Sequence, residues 1–201
     1  MSNQNSILLI DPSFEPNSAG SCSLLIRLGI DSISYAIINK YNNKICAIFD
    51  EQGCDDSSKK LGERLQSDHY LALPFQEIKL AVFTENYLSV PNAIFNVAEI
   101  PSNTRYFSQP PVGNTYTNDH SYFGFTSVFS LTKGTDQMIN YSFNSSKKYD
   151  LNALLLKLAE HTDPTSLLLD FTAGSFQVLY KLEEQIIFQK CYETENVEEF
   201  N

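Results

Sequence analysis

Basic residues are scarce in this chain: 14 Lys and Arg stand against 24 Asp and Glu, a formal net charge of −10. Nucleic acids and anionic membrane surfaces both select for clustered Lys and Arg, so this balance argues against either as a partner. The basic pairs Lys59-Lys60 and Lys147-Lys148 read as solvated helix ends or turns. Long hydrophobic runs are missing as well. The N-terminus has no basic region, and its apolar run Ile7–Ile10 is far too short for a signal peptide or a membrane span. A cytoplasmic protein is therefore expected, and the sequons at Asn140 and Asn144 carry no weight. The four cysteines, Cys22, Cys46, Cys54 and Cys191, form no Cys-x-x-Cys pair and have no His at ligand spacing, so neither a disulfide framework nor a metal site is indicated. His69, His120 and His161 are scattered one per segment. No Gly-x-Ser-x-Gly, His-Glu-x-x-His or Gly-x-x-x-x-Gly-Lys occurs, and a dinucleotide fingerprint is lacking too.

What is present is a pattern used twice. Residues 165–191 (TSLLLDFTAGSFQVLYKLEEQIIFQKC) read as strand, tight turn, strand, second turn and third strand. Residues 23–49 (SLLIRLGIDSISYAIINKYNNKICAIF) read the same way, with Leu24–Arg27 falling on Leu167–Asp170 and Asp31–Ile33 on Gly174–Phe176. The earlier copy predicts strands over Ser23–Leu28, Ser32–Lys40 and Lys44–Asp50, with Asn42-Asn43 at the hairpin because Asn tolerates left-handed backbone.

Around these meanders the chain divides into an extended arm (1–21), a first lobe (22–164) and the start of a second lobe (165–201). A helix is predicted over Ser57–Gln66 with Asp55 or Asp56 as cap, then a strand over Ile78–Thr84. Residues 85–121 read as an irregular insertion with β-prone pieces at Tyr87–Val90 and Arg105–Ser108. A strand at Tyr122–Leu131, a helix at Thr135–Phe143 and a short edge strand at Lys147–Asp150 follow. The clearest helix begins after the Asp150 cap, with Leu151, Leu154, Leu155 and Leu158 along one face. After the second meander, Glu195–Phe200 reads as a helix beginning.

This order resembles the actin-like ATPase superfamily, an α/β class whose duplicated ribonuclease-H-like lobes each open with such a meander. Within it the later part looks like the pilus-assembly and division-protein branch. The opening LLIRLGIDSISYAIIN, the VFSL strand before a helix, and LLLDFTAGSFQVLYKLEEQIIF are most similar to a domain-of-unknown-function family of Bacteroidetes-type bacteria with that fold. The second lobe is expected to be cut short, since the sequence runs only 31 residues past Asp170, short of where an adenosine-binding Gly-rich stretch from its far end would fall.

The resemblance implies a phosphate-binding turn in each meander. The first calls for an Asp at the end of strand one that holds magnesium through water, then Gly and a small hydroxyl. Gly29 and Ser32 match, whereas the Asp is replaced by Arg27, and Asp31 adds a negative charge that would repel phosphate. The second turn calls for Asp followed by glycines, so that backbone approaches the phosphates. Asp170, Gly174 and Ser175 match; Thr172 and Ala173 stand where glycines would leave room. Asp170 equally reads as a strand-end residue capping its own turn, and Arg27 as a solvated residue or one paired with Asp170 across the lobes. Two functions follow as expectations. One is a non-catalytic actin-like module that binds or scaffolds a protein partner or self-associates, without cofactor or metal. The other is an ATP- and magnesium-binding or kinase-like enzyme using Gly29, Ser32, Asp170, Gly174 and Ser175.

Overall fold

The structure, a computed structural model, describes residues 6–111 and 113–193. The expected helix at Glu195–Phe200 lies outside the described residues. Strands β1 (Ser6–Ile10), β2 (Cys22–Leu28), β3 (Ser32–Asn39) and β4 (Ile45–Gln52) are followed by α1 (Ser57–Ser67) and β5 (Glu77–Val82). Next come β6 (Tyr87–Pro91), the single turn α2 (Ile100–Asn103), β7 (Thr115–His120), β8 (Phe125–Ser130), α3 (Lys133–Ser142), β9 (Lys147–Asp150) and α4 (Asn152–Ala159). The chain closes with β10 (Ser166–Phe171), β11 (Ser175–Leu182) and β12 (Gln185–Glu193).

These strands make three sheets, ordered β1-β4-β3-β2-β5-β9, β6-β8-β7 and β10-β11-β12. In the first, β2 pairs antiparallel with β3 but parallel with β5, and β5 runs parallel with β9. Its core face alternates along the strands: Leu24, Ile26 and Leu28 on β2 oppose Ile37, Tyr35 and Ile33 on β3, all buried. Leu61 of α1 and Ile139 of α3 close over that face. Asp56 caps α1 by accepting from the Lys59 N–H at 2.9 Å, and Thr132 caps α3. The last sheet packs its inner face, through Leu179, on Leu155, Leu156 and Ala159 of α4.

Four expectations change. The N-terminal arm is not extended throughout: β1 is a strand paired with the outer edge of β4, and Lys44 pairs with Asp11 at 2.7 Å, but Pro16–Ser21 is a 3-10 helix. The insertion is not irregular throughout, because β6 and β7 flank β8 in the small sheet, while Thr104–Tyr106 is a 3-10 turn rather than part of a strand. The Leu stripe of α4 is split: Leu155 and Leu156 are buried against the last sheet, whereas Leu154 and Leu158 are 42% and 52% exposed. Lys147 and Lys148 lie within β9 rather than at a helix end; Lys147 pairs with Glu77 at 2.8 Å, and Lys148 sits over the Tyr116 ring.

Candidate functional site

The first meander turn is built for close approach. The Gly29 N–H donates to the Ser32 carbonyl at 2.9 Å, and a Cβ on Gly29 would lie 2.4 Å from the Ser32 hydroxyl, so any larger residue would displace that hydroxyl from Arg27. Ser57, at the start of α1, donates its hydroxyl to the Gly29 carbonyl at 2.6 Å, and the Cys54 N–H donates to the Asp31 carbonyl at 2.7 Å. The second turn closes by a Thr172 N–H bond to the Ser175 carbonyl at 2.8 Å, with the Ser175 N–H returning to the Thr172 hydroxyl at 3.1 Å.

The two turns are bonded to each other. The Arg27 guanidinium at the end of β2 meets the Asp170 carboxylate at the end of β10 at 2.7 Å and reaches Ser32 Oγ at 3.0 Å. Asp31 inserts its carboxylate into the second turn. Gly174 N–H donates to it at 2.5 Å, the Thr172 hydroxyl at 2.7 Å and the Ser175 hydroxyl at 3.3 Å. Ala173 N–H is accepted by Gln52 Oε1 at 3.1 Å. A backbone N–H and two hydroxyls converging on one point form an anion cradle, and here the anion is Asp31. A Cβ on Gly174 would stand 3.1 Å from the Asp31 oxygen, so the glycine admits a carboxylate rather than a left-handed backbone. Of the residues named from the sequence, Arg27, Ser32, Asp170, Gly174 and Ser175 are gathered here, with Gly29 shaping the first turn.

Two carboxylates and one guanidinium leave this junction with a net negative charge. Arg27 stands where a magnesium-holding carboxylate would be needed, and the cradle's donors are engaged by Asp31. As arranged, these residues do not fit a magnesium nucleotide. Among the described residues no cluster of His, Cys, Asp and Glu is placed to hold a metal ion.

Sequence reasoning missed a second polar cluster. Asp150, fully buried between β9 and α4, accepts from Ser127 Oγ at 2.9 Å and from the Ala153 N–H at 3.2 Å, and its own N–H donates to Asn118 Oδ1 at 3.1 Å. His120 Nε2 lies 3.3 Å from Ser127 Oγ. Burial raises the Asp150 carboxyl to about 6 and lowers His120 below the usual histidine value. Ser127 has no exposed surface, so no substrate reaches it, and the cluster ties the small sheet to the first one. The one hint in the sequence was the helix-capping position of Asp150.

The family described as protein of unknown function (DUF3822) matches residues 11–201, and the chain belongs to it. Among solved structures it is similar to a protein of actin-like ATPase fold and unknown function from Bacteroides thetaiotaomicron. That match is 12% identical, covers 93% of this chain and 76% of that one, and has a TM-score of 0.78, which shows the fold. Weaker likenesses are to the ethanolamine utilization protein EutJ from Carboxydothermus hydrogenoformans (7% identity, 94% and 56% of the two chains, TM-score 0.48) and to the PilM-PilN type IV pilus biogenesis complex (13%, 89% and 63%, TM-score 0.49). No curated protein matches. The chain thus has the mixed α/β, actin-like ATPase fold that its sequence resembles.

Proposed function

We propose that this chain is a non-catalytic module of actin-like fold that acts by binding a protein partner, without nucleotide or metal. The observation that carries the reading is the Asp31 carboxylate seated in the second turn, where it engages the donors that a phosphate would need. Phosphoryl transfer works by holding a metal and several donors around the transferred group. Arg27 opposes the first requirement and Asp31 the second. A reducing cytoplasmic setting belongs to the same proposal and is supported by the four free thiols and by the absence, among the described residues, of a helix long and apolar enough to cross a membrane.

The enzyme reading would require Asp31 to leave the cradle and Arg27 to release Asp170, two rearrangements with no replacement partner in view. The test is phosphate release from ATP with magnesium. The module is expected to give no turnover above buffer, and magnesium-dependent turnover abolished by Asp170→Ala would overturn the reading.

A further inference from the structure

The outer edge of β12 opens onto a cleft of about 980 Å³. β12 ends its sheet, and among the described residues it pairs only with β11. Each residue from Glu184 to Cys191 borders the cleft, so a strand edge with its unpaired N–H and C=O groups is presented, rather than one face. The opposite wall is aromatic and comes from the small sheet and its turn: Tyr87, Phe123 and Phe125, with Phe83 at the end of β5. The polar groups run along one side and the apolar surface along the other, which is what an added strand meets when it docks on a sheet edge.

The first meander shows what such an edge takes. By the alignment of Leu24–Arg27 with Leu167–Asp170, β4 corresponds to β12. The outer edge of β4 is covered by the extended apolar segment SILLI of β1, antiparallel, with Ile7 opposite Asp50 and Leu9 opposite Ile48. The outer edge of β12 has no such cover among the described residues.

We infer that β12 and the aromatic wall receive an extended strand of a partner protein, apolar at its centre and flanked by basic residues. Charge selects this occupant over a second copy. Two chains of net charge −10 repel, whereas Glu85 and Glu184 outnumber Lys190 among the charged residues of the cleft, Glu184 already accepting from Tyr122, and this balance favours cations at the ends of an incoming strand. The outer edge of β1 is also unpaired among the described residues, but the four main clefts do not include β1, and its Ile7 and Leu9 are exposed, so a strand added there would meet less apolar wall. This inference deepens the binding-module reading by naming the partner's chemistry, and it is tested by binding rather than by nucleotide turnover, so either can fail alone.

The probe is a synthetic peptide carrying SILLI between two pairs of lysines, added to the full chain and followed by fluorescence anisotropy and amide hydrogen exchange. Saturable binding is expected, with exchange slowed roughly tenfold or more at alternate amides of β12 from Phe188 to Cys191, because only every second N–H of a regular edge strand points outward and the bulge at Ile187 breaks the alternation nearer the hairpin. A control peptide with proline replacing the central leucine should not bind, since proline breaks the ladder. Ile187 is 54% exposed, so Ile187→Lys should keep the wild-type melting midpoint and lose the peptide at least tenfold. Absence of binding, equal binding of the proline peptide, protection at β1 instead of β12, or a concentration-dependent dimer that protects β12 without peptide would each overturn the inference.

Discussion

Replacing Asp31 by alanine empties the cradle of the second turn while leaving both backbones and the Arg27–Asp170 pair in place. The carboxylate accepts from Gly174 N–H at 2.5 Å and the Thr172 hydroxyl at 2.7 Å, with a longer third bond of 3.3 Å from Ser175. Hydrogen bonds to a charged group contribute about 1.5–3 kcal/mol each, so the two short ones set a gross loss of about 3–6 kcal/mol. Two effects reduce it. Asp31 is only partly buried, so water can enter, and the freed Thr172 hydroxyl can turn fully to the Ser175 carbonyl at 3.0 Å. A net loss of about 2–3 kcal/mol is expected by urea denaturation of the full chain, or a drop in melting midpoint of roughly 5–10 °C for a domain of this size. Asp31→Asn should lose about half as much, because its amide keeps one acceptor but turns an N–H₂ toward a donor. In a cycle with Thr172→Val, the two losses should fall short of additive by about 1 kcal/mol, as expected for groups in direct contact. A loss under about 0.5 kcal/mol for Asp31→Ala, or strict additivity in the cycle, would refute the idea that this carboxylate fills the second turn.

Asp150→Asn should stabilise the protein at pH 7.5. A buried acid raised from 3.8 to about 6 makes the ionised folded state unfavourable by about 3 kcal/mol, an upper figure for the gain. The sign follows from protonation: the folded state holds the proton between pH 4 and 6 while the unfolded chain has lost it, so wild-type stability falls as pH rises through that window. The gain should therefore vanish below about pH 4, and a pH-independent gain would point to another cause. Lys181 is fully buried and donates to the carbonyls of Ala159 at 2.6 Å and Thr162 at 3.2 Å, closing the end of α4. Lys181→Met strands those acceptors and should cost about 2–4 kcal/mol in urea denaturation, whereas a neutral effect would mean the ammonium's desolvation cancels its bonds. Glu183 and Glu184 turn the last hairpin with φ of 48° and 67°, conformations that side chains disfavour. Glu183→Asn should raise stability by about 0.5–1 kcal/mol, measured the same way, and no gain would show that the turn carries no strain.

The meanders were readable because their strands alternate or run apolar between turn residues, and because Asn43, with φ of 53°, and Asp56 do at the hairpin and the α1 cap what their chemistry favours. β7 was not readable. Its sequence TYTNDH has no apolar alternation, and its inward positions Asn118 and His120 are buried by hydrogen bonding to Asp150 and Ser127 rather than by hydrophobicity. β1 was hidden for a different reason: Ile7–Ile10 faces solvent and is held by edge pairing, an interaction between segments distant in sequence. At the site, sequence spacing named Arg27 and Asp170 at matching strand ends, and the structure joins them. The sign of Asp31 was legible but its use was not. A negative charge in the first turn reads as a repellent for phosphate, and only the three-dimensional meeting of the turns shows that it serves as the anion of the second.

The most direct test of the closed junction is the melting midpoint of the full chain titrated with ATP and magnesium. A ligand that binds the folded state raises stability by RT ln(1 + [L]/Kd), about 2.7 kcal/mol at a hundredfold excess over Kd, which is a shift of several degrees here. With Asp31 in the cradle and Arg27 on Asp170, the midpoint should stay where it is up to millimolar nucleotide. A saturable, magnesium-dependent rise that disappears in Asp170→Ala would contradict the account.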